Sequence, residues 1–319
     1  MRSTNMRNKL APIGLSTYGR LQHVRQTIVA LQKNELAKES ELYIFSDGPK
    51  VGDAEKVEAV RRYLRTVDGF KAVHLYERER NDRVANNRGG MRMLLEKYGK
   101  MIFLEEDIVT APSFLSFMND ALNEYKNDPR IFAVNGYMPP IGIPSDYSNP
   151  VVLLPRFAAW GFGIWKEKFE EIIMDITPEM YEDLNADKQR LKQYCEGGND
   201  VITQLWLQAH GYINALDVRI DYTMFVKERQ YVVCPSRSLT HTTGCDGSGE
   251  HWVEETNKYD VKMDISSTSI SLARVLEPDA QVMNKLQAFY ALTPKGRLIR
   301  SAMDVGLYPM LRTLNRRLS

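Results

Sequence analysis

Glu105, Glu106 and Asp107 follow directly on the apolar run Met101-Ile102-Phe103-Leu104, and apolar sequence resumes at Ile108. Adjacent carboxylates at the end of a buried strand repel one another unless a cation offsets them. A divalent metal arriving with a diphosphate suits the task. Mg²⁺ or Mn²⁺ takes one or two carboxylates and fills its remaining positions with phosphate oxygens and water. The competing reading is a solvated turn whose acids cap the next helix. Apolar sequence on both sides argues against a loosely solvated face. Asp47, in Phe45-Ser46-Asp47-Gly48, closes another apolar run, where an Asp-Gly turn alone would account for it. Asp200 precedes the apolar stretch 201–209 and could cap it. The glycine-rich segment around Gly247 and Ser248 could wrap a diphosphate with backbone N–H groups. It lacks the lysine of a P-loop, which excludes an ATPase of that kind. His251, in preference to His241, could complete a metal shell with a neutral imidazole. Trp160-Gly161 reads by itself as a core tryptophan in a tight bend.

These residues need a frame, and the first 135 residues supply one by alternating strand and helix signals. Strand-like runs cover 11–17, 41–48, 71–77, the stretch Lys100 to Glu106, and the run beginning at Arg130. Between them, Leu21, Val24, Ile28 and Leu31 mark one helical face, and Val57, Val60 and Leu64 another. Residues 84–99 turn helical towards Gly99, a C-cap candidate, and a further helix spans Pro112 to Lys126. This order implies an α/β fold with a mostly parallel sheet and right-handed crossovers. Ligands on such sheets bind outside the carboxyl ends of the strands, where Asp47, Asn81, Asp82 and the three acids fall. Beyond 135, residues 136–150 read as an irregular loop, 166–174 and 178–194 as helices, 241–252 as loop, and the tail from about 264 as helical. The texture suggests a division at 135 and 262 into two halves of one domain and a basic helical extension, 263–319.

The chain has 319 residues, 43% hydrophobic and 26% charged, with a net charge of +1. That is ordinary globular composition, and nothing in it favours nucleic acid. Three cysteines without a Cys-x-x-Cys spacing point to reduced thiols, and no signal peptide or membrane span is evident. A cytoplasmic protein is expected. From Lys295 onward there are six basic residues and one acid, interleaved with apolar ones. Such a tail could lie on the inner face of the cell membrane or pack as an ordinary C-terminal helix.

Four stretches together carry a family resemblance: 15–50, 97–125, 158–167 (Ala-Ala-Trp-Gly-Phe-Gly-Ile-Trp-Lys-Glu) and 234–251. In this order they resemble GT-A-fold nucleotide-sugar glycosyltransferases, more narrowly bacterial sugar transferases related to N-acetylglucosaminyltransferase I. The resemblance implies that Asp107 holds a divalent metal, Mn²⁺ or Mg²⁺. Glu105 and Glu106 would then meet the donor, although relatives carry Asp at the middle position. It further implies that Asp47 reads the nucleobase edge, that Thr17 and Arg20 lie under the nucleotide, and that Asn81 and Arg83 belong to the loop closing on it. Gly247 and Ser248 would order over the donor, and Trp160 and Gly161 would meet the acceptor. Asp200 would be the base that deprotonates the acceptor hydroxyl, with Glu196 as the fallback. The implied reaction is inverting transfer from a nucleotide-diphosphate sugar, a UDP-sugar in particular. The implied acceptor is a saccharide or lipid-linked saccharide of surface polysaccharide or O-antigen synthesis. A sugar-phosphate pyrophosphorylase is the alternative enzyme, and a non-catalytic nucleotide or carbohydrate binder the alternative from another class.

Overall fold

A computed structural model describes residues 9–247, 258–265, 270–272, 276–310 and 312. The first strands form because apolar runs end in polar residues and alternate with helices that carry one apolar stripe. They are β1 (Ile13–Thr17), β2 (Glu41–Ser46), β3 (Ala72–Glu77) and β4 (Lys100–Glu105). The helices between them are α1 (Leu21–Gln32), α2 (Ala54–Leu64) and α3 (Arg83–Tyr98). Asp82 caps α3 by accepting from the Ala85 N–H at 2.9 Å, and Gly99 ends it in the left-handed conformation.

A short strand, β5 (Ile108–Thr110), follows the acids and leads into α4 (Phe114–Glu124) and β6 (Ile131–Asn135). Three further strands lie where the sequence carries no clear period. They are β7 (Val151–Leu154), β8 (Phe162–Trp165), inside the aromatic- and glycine-dense segment, and β9 (Tyr231–Pro235). The main sheet runs β3-β2-β1-β4-β8-β6-β9-β7. β1 pairs in parallel with both β2 and β4, and β2 with β3, whereas β8 is antiparallel to β4 and β6. This is the α/β, mostly parallel sheet read from the sequence. Its order reverses between β1 and β4, which creates the crevice at the carboxyl ends of those strands.

Contrary to the expected loop over 241–252, β10 (Thr240–Thr242) pairs antiparallel with β5, His241 opposite Val109. Thr240 and Thr242 are β-branched and buried, which suits a strand despite the glycines that follow. The expected helix over 178–194 is two, α6 (Pro178–Ala186) and α7 (Lys188–Tyr194). Asp187 breaks it by accepting from the Gln189 and Arg190 N–H groups. The helix expected over 166–174 ends earlier, as α5 (Lys166–Glu170). After it come α8 (Val201–Ala209) and α9 (Leu216–Val226), the latter without a sequence signal. In the tail the described helices begin only at α10 (Ala280–Phe289), with α11 (Pro294–Asp304) after it. No helix among the described residues is long and apolar enough to cross a membrane.

The chain forms two compact units that interleave along the sequence. The first comprises 1–140, 145–171 and 230–277; the second 141–144, 172–229 and 278–319. The first is built on the sheet, with Ile13, Leu15, Ile44, Ile102 and Leu104 fully buried. In the second, Leu184, Leu205, Trp206 and Tyr222 pack together, and buried Arg219 donates to the Met174 and Ala215 carbonyls. All three cysteines are free thiols.

At the opposite end of β2 from the crevice, Glu41 accepts from the hydroxyl of Tyr98 at 2.6 Å and from Lys71 at 3.0 Å. The Tyr98 hydrogen bond, then that of Lys71, pulls its carboxyl down to about 2. Stability from this depressed group is present above the unfolded glutamate pKa and lost as pH falls through it towards about 2. Glu41→Gln is therefore expected to lower stability at pH 7 and to flatten the acid limb of the profile. Denaturant titrations at pH 7, 4 and 3 test this; parallel wild-type and variant profiles would refute it.

Candidate active site

A cleft of about 590 Å³ opens at the carboxyl ends of β1, β2 and β4. Its floor follows from the strand register, which sets Ser16 beside Glu105 and Thr17 beside Ser46. Thr17, Arg20, Asp47, Asn81, Arg83, Glu105, Glu106, Asp107 and Trp160 all line it. The structure thus gathers nine of the residues singled out in the sequence, from positions up to 143 apart. The Thr17 hydroxyl is buried without a hydrogen-bond partner among the described residues, as expected of a group kept for a ligand.

The acid triplet sits in the turn between β4 and β5. Arg20, just before α1, divides its guanidinium between two of the acids. Nε donates to Glu106 Oε1 and Nη2 to Asp107 Oδ2, both at 2.7 Å. Glu106 Oε2 also accepts from the Tyr18 N–H at 2.5 Å. Burial pushes the Glu106 carboxyl above its ordinary range, while Arg20 and the Tyr18 amide pull it back. The extra methylene of Glu106 thus serves a side chain bound at both oxygens, one by Arg20 and one by backbone.

Residues far along the chain, Thr243 and Gly244, hold the triplet from the other side. The β5–β10 pairing delivers Thr243, whose N–H donates to the Asp107 carbonyl at 2.8 Å. Gly244 then presses on the carboxylate itself. A Cβ built there would stand 2.0 Å from Asp107 Oδ2 and 3.2 Å from Arg20 Nη1. Gly244 and Cys245 line the cleft, while Ser248 and His251 lie outside the described residues. Gly247 has φ 82° and is not part of the lining. His241 is on β10, with Nδ1 3.1 Å from Asp260 Oδ1.

Asp47 is buried and tied into its own turn. Oδ1 accepts from the Gly48 N–H at 2.8 Å and the Asp82 N–H at 3.0 Å, and Oδ2 from Asn81 Nδ2 at 2.9 Å. Gly48 is needed for this clasp, because a Cβ would lie 2.3 Å from the Arg80 carbonyl carbon. The clasp fixes the loop carrying Asn81 and Arg83 against the end of β2. Lys50, Asp53 and Tyr18 also line the cleft, the Tyr18 hydroxyl donating to Asp53 at 2.8 Å. Tyr18 falls within the Thr17 to Arg20 stretch expected under the nucleotide; Lys50 and Asp53 were not anticipated, and the signal was Lys50, a cation three residues after Asp47 in the same turn.

Trp160 lies edge-on to Tyr137 and Tyr259, with ring centroids 4.6 and 5.7 Å away, and its carbonyl accepts from Thr240. Gly161, at φ 82°, turns the chain into β8 and does not line the cleft. Asp200 belongs to the second unit, directly before α8. Its side chain makes no capping hydrogen bond to the helix backbone, so the cap reading fails; Oδ2 instead accepts from Gln204 Nε2 at 3.2 Å. Glu196, the fallback, is paired with Arg229.

No protein-family model matches the chain, and no curated protein does. Among solved structures, S. aureus TarS aligns at 10% identity over 74% of this chain and 37% of its own, with a TM-score of 0.39. A mannosyltransferase from Pyrobaculum calidifontis, PcManGT, in complex with GDP-Man and Mn²⁺, aligns at 12% identity over 68% and 70%, also at 0.39. GalNAc-T7 with UDP, GalNAc and Mn²⁺ aligns at 13% identity over 71% and 42%, again at 0.39. The chain spans less than two thirds of the TarS chains it matches, 37% of one and 60% of TarS 1–349. Likeness this distant leaves the chemistry to be argued from the cleft.

Proposed function

We propose that the chain is a metal-dependent, inverting glycosyltransferase that takes a sugar from a nucleotide-diphosphate donor, a UDP-sugar by preference, and passes it to a saccharide hydroxyl. The observation that carries this reading is the composition of the cleft. Three consecutive acids and the cations Arg20, Lys50 and Arg83 surround one volume at the sheet's reversal point. That pattern suits a ligand carrying both a diphosphate and a divalent ion. The residues fit such an ion, because Glu105 and Asp107 offer carboxylates to the cleft. No cluster of three or more His, Cys, Asp or Glu ligands occurs among the described residues, so phosphate oxygens would supply the remaining positions. Asp107 would hold the ion, which when bound would supply positive charge to the diphosphate leaving group.

The chain's own residues would do the rest. Asp47 Oδ2, which takes one hydrogen bond from Asn81, has a second lone-pair direction for the N3–H of uracil. Glu105 and Glu106 would meet the donor ribose and sugar. Trp160, beside Gly161, offers its indole to the acceptor sugar. Asp200 accepts the proton of the acceptor hydroxyl as that oxygen bonds to the anomeric carbon and the carbon–diphosphate bond breaks. A thermal-shift screen of UDP-, GDP- and dTDP-sugars with Mn²⁺ tests this reading. A donor at about 100 times its Kd should stabilise the fold by about 2.7 kcal/mol. No shift with any of them would sink it.

A lipid-linked acceptor would bring the enzyme to a membrane surface. Leu298, Val305, Leu307 and Met310 are exposed beside Lys295 and Arg297, four of the nine exposed large apolar side chains among the described residues. That mixture suits an anionic leaflet. Co-sedimentation with phosphatidylglycerol vesicles but not phosphatidylcholine vesicles is the expected result; equal binding or none would refute the contact.

A further inference from the structure

Arg20 does more than line the cleft. It supplies positive charge to the acids, with side chains of Glu106 and Asp107 only 7% and 14% exposed. The two acids are held differently. Glu106 is bound at both oxygens, by Arg20 Nε and by the Tyr18 N–H. Asp107 accepts from Arg20 Nη2 at Oδ2, and Oδ1 makes no hydrogen bond among the described residues. The Nε–Glu106 bond is therefore the anchored end of the guanidinium, and the Nη2–Asp107 bond the end able to let go.

We propose that Arg20 is an exchangeable counterion, paired with Asp107 and turning to the diphosphate when nucleotide and metal enter together. The inference rests on the cleft being a metal–diphosphate site. A metal entering alone meets the guanidinium charge beside Asp107, and turning Nη2 away from Oδ2 leaves it without a comparable acceptor, so its binding is weakened. A metal entering with a diphosphate gives the guanidinium phosphate oxygens, for which its planar fork is suited. Metal and nucleotide thus bind cooperatively, and Glu106 acts as the positioning residue that keeps Arg20 within reach of both partners. Catalysis is thereby restricted to the loaded cleft, since Asp107 is given up only when the diphosphate is there.

Mn²⁺ binding to the full chain, followed by the electron-paramagnetic-resonance signal of free Mn²⁺, tests this with and without saturating UDP or GDP. For the wild type, one nucleotide should tighten Mn²⁺ binding by about tenfold or more, within the usual range of coupling between two ligands. Arg20→Gln should bind Mn²⁺ alone more tightly than the wild type and lose most of the enhancement. Arg20→Lys, which keeps the charge without the fork, should fall between and serves if Arg20→Gln does not fold. Equal Mn²⁺ affinity with and without a nucleotide that itself binds, or unchanged coupling in either variant, overturns the exchange. Failure of both nucleotides to bind at saturating Mn²⁺ overturns the exchange and the metal–diphosphate reading together.

Discussion

Gly244→Ala is expected to weaken metal-supported nucleotide binding by about a hundredfold, the scale of loss that a 1 Å misplacement of a binding group can cause. The new Cβ would stand 2.0 Å from Asp107 Oδ2, well inside contact distance. The backbone there cannot retreat freely, because β10 is paired with β5 and the Thr243 N–H is bonded to the Asp107 carbonyl. The carboxylate must rotate instead, giving up its 2.7 Å contact with Arg20 and its place facing the cleft. The hydrophobic core is untouched, so thermal unfolding should move by only a few degrees. Calorimetric titration with UDP or GDP and Mn²⁺ provides the check. Wild-type affinity in the variant would mean that the Asp107 carboxylate has no part in the site.

Asp200→Asn is expected to reduce transfer by about a thousandfold while leaving donor affinity unchanged, the loss being that of a general base. The side chain makes no capping hydrogen bond to α8, so the substitution should cost little stability. Asparagine can still accept from Gln204 through its carbonyl oxygen, which keeps the local geometry. Donor affinity should hold because every residue lining the cleft comes from the first unit. The measurement is turnover with a nucleotide sugar, alongside titration of the nucleotide. Undiminished turnover would exclude Asp200 and point to Glu196, which is paired with Arg229.

The first four strands were legible in the sequence because each is a short apolar run ending in polar residues, separated by helices with one apolar stripe. Their carboxyl ends define the cleft, so Asp47, Asn81 and the acid triplet could be named from local pattern, whereas Thr17, Arg20 and Arg83 came with the family resemblance. The later strands could not. β7 and β8 are four residues each and buried throughout, so they show no alternation, and β8 carries Gly163 at its centre. β10 is a strand by virtue of β5, a partner 130 residues earlier, and local sequence holds no record of that pairing. For the same reason attention fell on Gly247 when Gly244 is the glycine against Asp107. Nor could the spacing reveal that Arg20 already answers the repulsion within the triplet, since that depends on where the chain after β1 turns back.

The central claim is that the acid-lined cleft receives a nucleoside diphosphate together with a divalent ion. Isothermal titration of the protein with UDP and with GDP, each in the presence and absence of Mn²⁺, tests it most directly. The expected result is binding of one nucleotide, strengthened about tenfold or more by Mn²⁺. Binding of neither nucleotide in the presence of Mn²⁺ would contradict the account.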